Sequence, residues 1–308
     1  GKENAMVILS PANMKNKDLT WETTTQTNIG VDLSIFNSRL VFNADAYYKY
    51  TTDLLMDVPL PSTSDVGSIT RNEGEMVNKG IEFAVSSKNF VKAFKWDTDF
   101  NISLNRNEVK KFTLQNVYYY AQTSEATSEN VVRMTPGQPL GMFWGYISDG
   151  VDPETGKAQW YKTDANGERV KTFSYGDASK NQIAIDRYTP DFFGGFSTNL
   201  SWKNLDMSAV FGYSVGGKIY NYARAEYDSD GTYTDRNQMK LQDGWSRWEK
   251  PGDIATHPQG IYNNGTNSNK ASSRFLEDGS YLKLRNLTIG YNLALPEWYI
   301  SNLRLFVS

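Results

Sequence analysis

The chain has 308 residues with 32 basic and 35 acidic side chains, so its net charge of −3 gives no electrostatic reason to expect a nucleic-acid partner. It has no cysteine, which removes disulfide frameworks and thiolate metal sites; we expect neither a cofactor nor a bound metal. Mean hydropathy is −0.57 and no run of ~18 apolar residues occurs, which excludes a membrane helix but leaves open a barrel, whose inner face and loops are polar.

The first element in chain order is a strand with two unlike faces. Thr23, Thr25, Thr27, Ile29, Val31, Leu33 and Ile35 alternate with Thr24, Gln26, Asn28, Gly30, Asp32 and Ser34, a period of two. After a turn at Asn37-Ser38 the pattern resumes, with Leu40, Phe42, Ala44, Ala46 and Tyr48 on one face and Val41, Asn43, Asp45, Tyr47 and Lys49 on the other. A second hairpin runs from Ile81, Phe83 and Val85 through a short turn near Phe90 into Trp96, Thr98, Phe100, Ile102 and Leu104, which alternate with Asp97, Asp99, Asn101 and Ser103. The third places Phe196, Thr198, Leu200 and Trp202 before Lys203-Asn204, then Leu205, Met207, Ala209, Phe211 and Tyr213. The fourth carries Leu287, Ile289, Tyr291 and Leu293 to a turn near Pro296 and returns through Leu303, Leu305 and Val307.

About eight strands follow, several near the ~9 to 11 residues that a tilted transmembrane strand needs. The segments between hairpins, about 51–78, 107–191 and 215–280, far exceed ordinary connections of ~4 to 6 residues. Short turns at one end and long loops at the other predict an all-β fold: part of an antiparallel transmembrane β-barrel with periplasmic turns and extracellular loops. Aromatic placement agrees. Phe36, Phe90, Phe94, Trp96, Trp202, Trp298 and Tyr299 cluster at the short turns, and Tyr47, Tyr48, Tyr50, Tyr213 and Tyr281 at the other strand ends, as interfacial girdles do. A soluble sandwich would show the same alternation, with its apolar face turned to its own core. No charged-then-apolar leader opens the sequence, so an exported protein would carry its signal elsewhere.

The loops hold rings among small polar residues. Tyr119, Trp144, Trp160, Tyr161, Trp245 and Trp248 are the candidate ligand-binding residues, because flat rings stack on a sugar's apolar face while amides and carboxylates bond its hydroxyls. The alternative is that they pack the loops together or against a partner. Gly212-Tyr213-Ser214-Val215-Gly216 has the form of a nucleophile elbow, with the single histidine, His257, downstream and Asp228, Asp230, Asp235, Asp243 and Asp253 between. An elbow needs a buried parallel strand before it and a helix after it, whereas Ser214 ends an alternating antiparallel strand; a serine hydrolase is the remote reading, no catalytic residue is assigned, and His257 is expected on a solvated surface. Asp164-Ala165-Asn166-Gly167-Glu168 offers too few oxygens for Ca²⁺, which takes ~6 to 8, and reads as a turn.

Four segments carry a family resemblance: Leu19-Thr20-Trp21-Glu22-Thr23, Asn78-Lys79-Gly80-Ile81-Glu82, Trp245-Ser246-Arg247-Trp248-Glu249 with Pro251-Gly252-Asp253, and Ser280 to Leu287. Together, from about Leu19 to Ser308, they resemble the C-terminal half of SusC/RagA-type, TonB-linked outer-membrane proteins. The resemblance implies a 22-stranded barrel in a Gram-negative outer membrane, of which residues 1–308 are a C-terminal part, with the plug and the closing strands outside this sequence. It also implies a SusD-like surface lipoprotein as lid, TonB as energy source acting through a segment absent here, and import of oligosaccharides or peptides. On that reading the outer face meets lipid, and Gln26, Asn28, Asp32, Asp45, Asp99 and Asn101 line a wet lumen. A soluble β-rich glycan-binding or adhesin module is the alternative function.

Overall fold

The computed structural model describes residues 16–60, 68–112, 118–120, 131–179, 181–263, 265, 267–294 and 302–308. Eight of its strands form one sheet: β1 (Thr23–Ile35), β2 (Leu40–Thr52), β3 (Gly74–Val91), β4 (Phe94–Phe112), β5 (Phe192–Trp202), β6 (Leu205–Val215), β7 (Tyr281–Ala294) and β8 (Asn302–Val307). Spatial order equals chain order and every neighbouring pair is antiparallel. This up-and-down meander is the arrangement that alternating hairpins with short turns dictate.

The short connections share one end of the sheet. Phe36, Asn37 and Ser38 have φ of 55°, 57° and 59°, a left-handed run that lets a tight turn follow the strand twist. Lys203 (φ 55°) does the same in the two-residue Lys203-Asn204 turn. That turn is bonded to β7 by Asn204 Nδ2 to the Asn292 carbonyl at 2.7 Å and by Asn292 N to the Asn204 carbonyl at 2.8 Å. The turn near Phe90 is Lys92-Ala93, and the one near Pro296 lies outside the described residues.

Register, rather than exposure, separates the two faces, because both sides of this sheet are open. Leu33, Phe42, Val85, Phe100, Phe196 and Phe211 lie opposite one another across six strands. Met207, Ile289 and Val307 continue the apolar face to β8. On the other face Asp32, Asn43, Ala84, Asn101, Gly195 and Gly212 align. Two glycines serve this packing. Tyr47 lies across Gly80 to donate to Asn105 Oδ1 at 3.0 Å, and Tyr213 lies across Gly194 to the Asn101 carbonyl at 2.7 Å. A Cβ on either glycine would stand 2.6 Å from the tyrosine hydroxyl.

β3 and β4 run for 18 and 19 residues, longer than their alternation suggested, since the ladder continues past the apolar rows into the segments expected as loops. The long connections are themselves folded. Segments 118–120, 131–187 and 218–278 contribute a four-stranded sheet, a three-stranded sheet, the pair Lys218–Tyr220 with Leu276–Asp278, and short helices Tyr175–Ser179 and Tyr222–Tyr227. Asn221 caps the second helix through a bond from Arg224 N at 2.8 Å. Two small cores hold this module, one around Phe143, Tyr220, Ala225 and Phe275, the other around Tyr146, Ala158, Trp160 and Ala178. The two loops are joined by Ser273 N to the Tyr146 carbonyl at 2.8 Å and Ser148 N to Ser273 Oγ at 2.9 Å.

Candidate functional site

The six residues expected to line a lumen stand on one face of β1, β2 and β4, most of them held by polar bonds to neighbours on that face. Gln26 Nε2 donates to Asn28 Oδ1 at 2.9 Å, and Asn43 donates to Asp32. Asp99 accepts from Ser86 Oγ at 2.7 Å and from Ser197 Oγ at 2.9 Å, spanning three strands. Asn101 Oδ1 takes the Gly195 amide at 3.0 Å, and Asp45 overlies Gly30. Such a wall holds oxygen acceptors at fixed positions with free lone pairs, so it can bond the hydroxyls and amides of a polar solute without a deep pocket.

The loop aromatics divide differently. Trp160 is 2% exposed and meets Tyr175 edge-on at 5.4 Å, so it is a core side chain. Trp248 presses on Gly156 and donates its Nε1 to the Pro153 carbonyl at 2.7 Å, bolting one long loop to the other. Trp245 carries Arg224 over its ring at 4.5 Å and meets the His257 ring at 4.9 Å in a tilted contact. Trp144 carries Arg133 on its face at 4.1 Å. Tyr161 is partly open: Arg169 lies 4.0 Å over its ring and its hydroxyl donates to Asp149, a bond that raises the phenol above its ordinary range. Tyr119 pairs with Arg133 in the ladder of strand Tyr118–Tyr120.

His257 is not on the surface as expected; it is fully buried, at the centre of an ion network the sequence did not reveal. Its Nε2 meets Asp228 Oδ2 at 2.8 Å and its Nδ1 meets Thr256 Oγ1 at 2.7 Å. Arg274 bonds Asp228 at 3.2 Å and Asp230 at 2.6 Å, Arg224 reaches Asp228 at 3.3 Å, and Arg247 reaches Asp230 at 2.7 Å. Burial pushes the Asp228 carboxyl up, but the His257 bond and the charges of Arg274 and Arg224 outweigh it and hold the group below the usual carboxylate range. With both ring nitrogens occupied, His257 is not placed to activate Ser214, which sits in the β6 ladder between Phe193 and Tyr281. A glycine pair, Gly216-Gly217, follows that strand where an elbow requires a helix. Apart from the i,i+4 pair Arg224–Asp228 and the adjacent Thr256 and His257, the partners lie 17 to 46 residues apart in the chain, so little local spacing announces the network. At 164–168 the structure shows the expected turn: Asp164 Oδ1 accepts the amides of Asn166 at 2.9 Å and Glu168 at 2.8 Å.

The sheet is thus a two-faced meander with folded loops at one end. The sequence profile described as TonB dependent receptor-like, beta-barrel matches residues 8–308. The chain belongs to that family. TonB-dependent receptor P3 of Formosa agariphila is 31% identical over 313 residues, covering 95% of this chain and 30% of the relative. TonB-dependent receptor SusC of Bacteroides thetaiotaomicron is 27% identical over 284 residues, covering 90% of this chain and 26% of SusC. Among solved structures, the RagAB peptide transporter superposes with a TM-score of 0.78 at 29% identity, over 95% of this chain and 32% of that one. The chain thus spans about a third of the length of the relatives it matches. As a TonB-dependent receptor barrel of SusC/RagA type, it is a protein of the Gram-negative outer membrane.

Proposed function

We propose that this chain is part of the wall and surface loops of a TonB-dependent importer for oligosaccharides or peptides, working with a SusD-like lipoprotein as lid. Solute would be captured between lid and loop module, and a pull transmitted by TonB to a plug would open a path along the polar face that carries Gln26, Asn28, Asp32, Asp45, Asp99 and Asn101. This chain would bind and guide, with no bond made or broken.

The observation that carries the reading is the asymmetry of the sheet. Ile29 is 71% exposed, Leu282 75% and Val307 78%, on a face whose opposite side is laced with carboxylates and amides. A soluble glycan-binding module would cover such a face with a second layer, at ~25 cal/mol per Å² of apolar surface removed from water. A lipid bilayer covers it without one.

Sidedness tests the reading. These 308 residues have no cysteine, so single cysteines at Ser38 in the first short turn and at Asn166 in the loop module can be placed in the full-length protein once any thiol elsewhere in it is replaced by serine. An impermeant thiol reagent on intact cells should label Asn166→Cys and spare Ser38→Cys; equal labelling, or the reverse, ends the topology.

A further inference from the structure

The outward face of the sheet is uncharged over most of its height. From the short turns up to the row that pairs Ile29 with Ala46, Ala46 with Ile81 and Ile81 with Leu104, the described outward positions are apolar, aromatic, glycine, serine or threonine, with the amide of Asn89 at the bulge beside one short turn bonded to Ser87 and Thr98. The next row toward the loops changes character abruptly. There Tyr48 stands opposite Lys79, and Lys79 directly opposite Arg106. Like charges in facing positions of an antiparallel pair are destabilising, with Cβ atoms ~5 Å apart.

Nothing described on that face neutralises the pair fully. Arg106 is held by Asp191 at 2.8 Å and by the Pro190 and Asp191 carbonyls at 3.2 and 3.0 Å, which fixes its guanidinium while its side chain stays 41% exposed. Asp191 is shared with Arg187, so one carboxylate serves two guanidiniums. Lys79 is exposed and makes no ion pair among the described residues. The acids further out are taken, Glu108 by Lys110 at 2.7 Å and Glu75 by Lys111 at 3.5 Å. Lys79 also lies in the Asn78–Glu82 segment, whose Gly80 is explained by Tyr47 but whose lysine has no ion-pair partner among the described residues.

We infer that Lys79 and Arg106 form a docking site for the phosphate headgroup of an anionic lipid, seated on the outward wall where its apolar band ends. The site rests on the reading that this face meets lipid. A pre-fixed guanidinium supplies directed donors and a mobile ammonium supplies a point charge, the pairing suited to a phosphate at headgroup depth. The half-exposed ring of Tyr48 beside them occupies the level where amphipathic rings settle, with the acyl chains lying below on Ile29, Ile81 and Leu104.

The test uses the full-length protein in phosphatidylcholine nanodiscs containing a minority of phosphatidylglycerol, with protein-bound lipid counted by native mass spectrometry. Wild type should retain phosphatidylglycerol in preference to phosphatidylcholine, and Lys79→Gln should lower that preference about five-fold, the equivalent of ~1 kcal/mol for one basic side chain at the surface. Lys79→Arg should restore it, and raised salt should weaken it. Equal enrichment in wild type and Lys79→Gln would overturn the site. So would an equal loss in Lys157→Gln, a loop lysine, since the effect would then be net charge alone. Retention of inorganic phosphate by lipid-free protein, lost in Lys79→Gln, would overturn the lipid assignment. Because the nanodisc is symmetric, the result is independent of which side the loops face, which the thiol labelling decides separately.

Discussion

The wall and the loop module solve the same problem, holding polar chain in place, by opposite means. In the wall, neighbouring backbones satisfy each other along the ladder and the side chains divide by parity, apolar outward and polar inward, so the sheet has little core of its own. In the loop module the ladders are short, and order comes from two small apolar cores and from charges buried in pairs. The wall is therefore tolerant wherever a side chain faces water and intolerant wherever it faces lipid. The module is intolerant at a few buried points, far apart in sequence, that act together.

The largest effect is expected at the module's hub. Asp228→Ala leaves Arg224, Arg274 and His257 buried without their shared carboxylate and should cost about 3 to 5 kcal/mol of local stability. Loop proteolysis should rise steeply while heat-modifiability, which reports the folded barrel, stays unchanged; parallel loss of both would show that wall and module are one cooperative unit. The same hub gives the pH dependence. Since the folded-state carboxyl lies below its ordinary range, its contribution is fully present above the unfolded aspartate value of ~3.9 and is lost as pH falls through the folded value, so loop protection should hold from neutrality to about pH 4 and fade below it.

A smaller effect tests the wall's parity. Val31→Arg puts a charge in lipid near the middle of the apolar band, at about 2 to 4 kcal/mol, whereas Asn28→Arg on the inward face meets water and should assemble normally. If gel-shift assays show the two variants assembling alike, or Asn28→Arg faring worse, the assignment of faces fails.

The smallest effect sharpens the boundary between packing and binding. Tyr161, partly open, should on replacement by Ala weaken ligand capture by ~1 kcal/mol and leave protease resistance intact. Trp160→Ala, its buried neighbour, should instead loosen the module, and any loss of capture should follow that loosening. Binding isotherms beside limited proteolysis on both variants separate the roles; unchanged capture in Tyr161→Ala removes that ring from the candidate ligand site.

How far the sequence could be read follows the same division. A strand's side chains alternate by geometry, so the residue list from Thr23 to Leu33 already contained the two faces, and the Asn37-Ser38 and Lys203-Asn204 pairs already marked the turns. Eight strands in chain order, the polar face that carries Asp32, Asp99 and Asn101, and the barrel family were all determined there, because each depends on neighbours along the chain or directly across a hairpin. Tertiary structure alone decided the rest. That Trp160 fills a core, that Trp248 rests on Gly156, and that His257 is enclosed by Asp228 and Trp245 depend on contacts between segments with no fixed sequence period. A ring, an arginine or a lone histidine in a polar loop has the same local composition whether it faces solvent or closes a buried network, and only the folded partner selects between them.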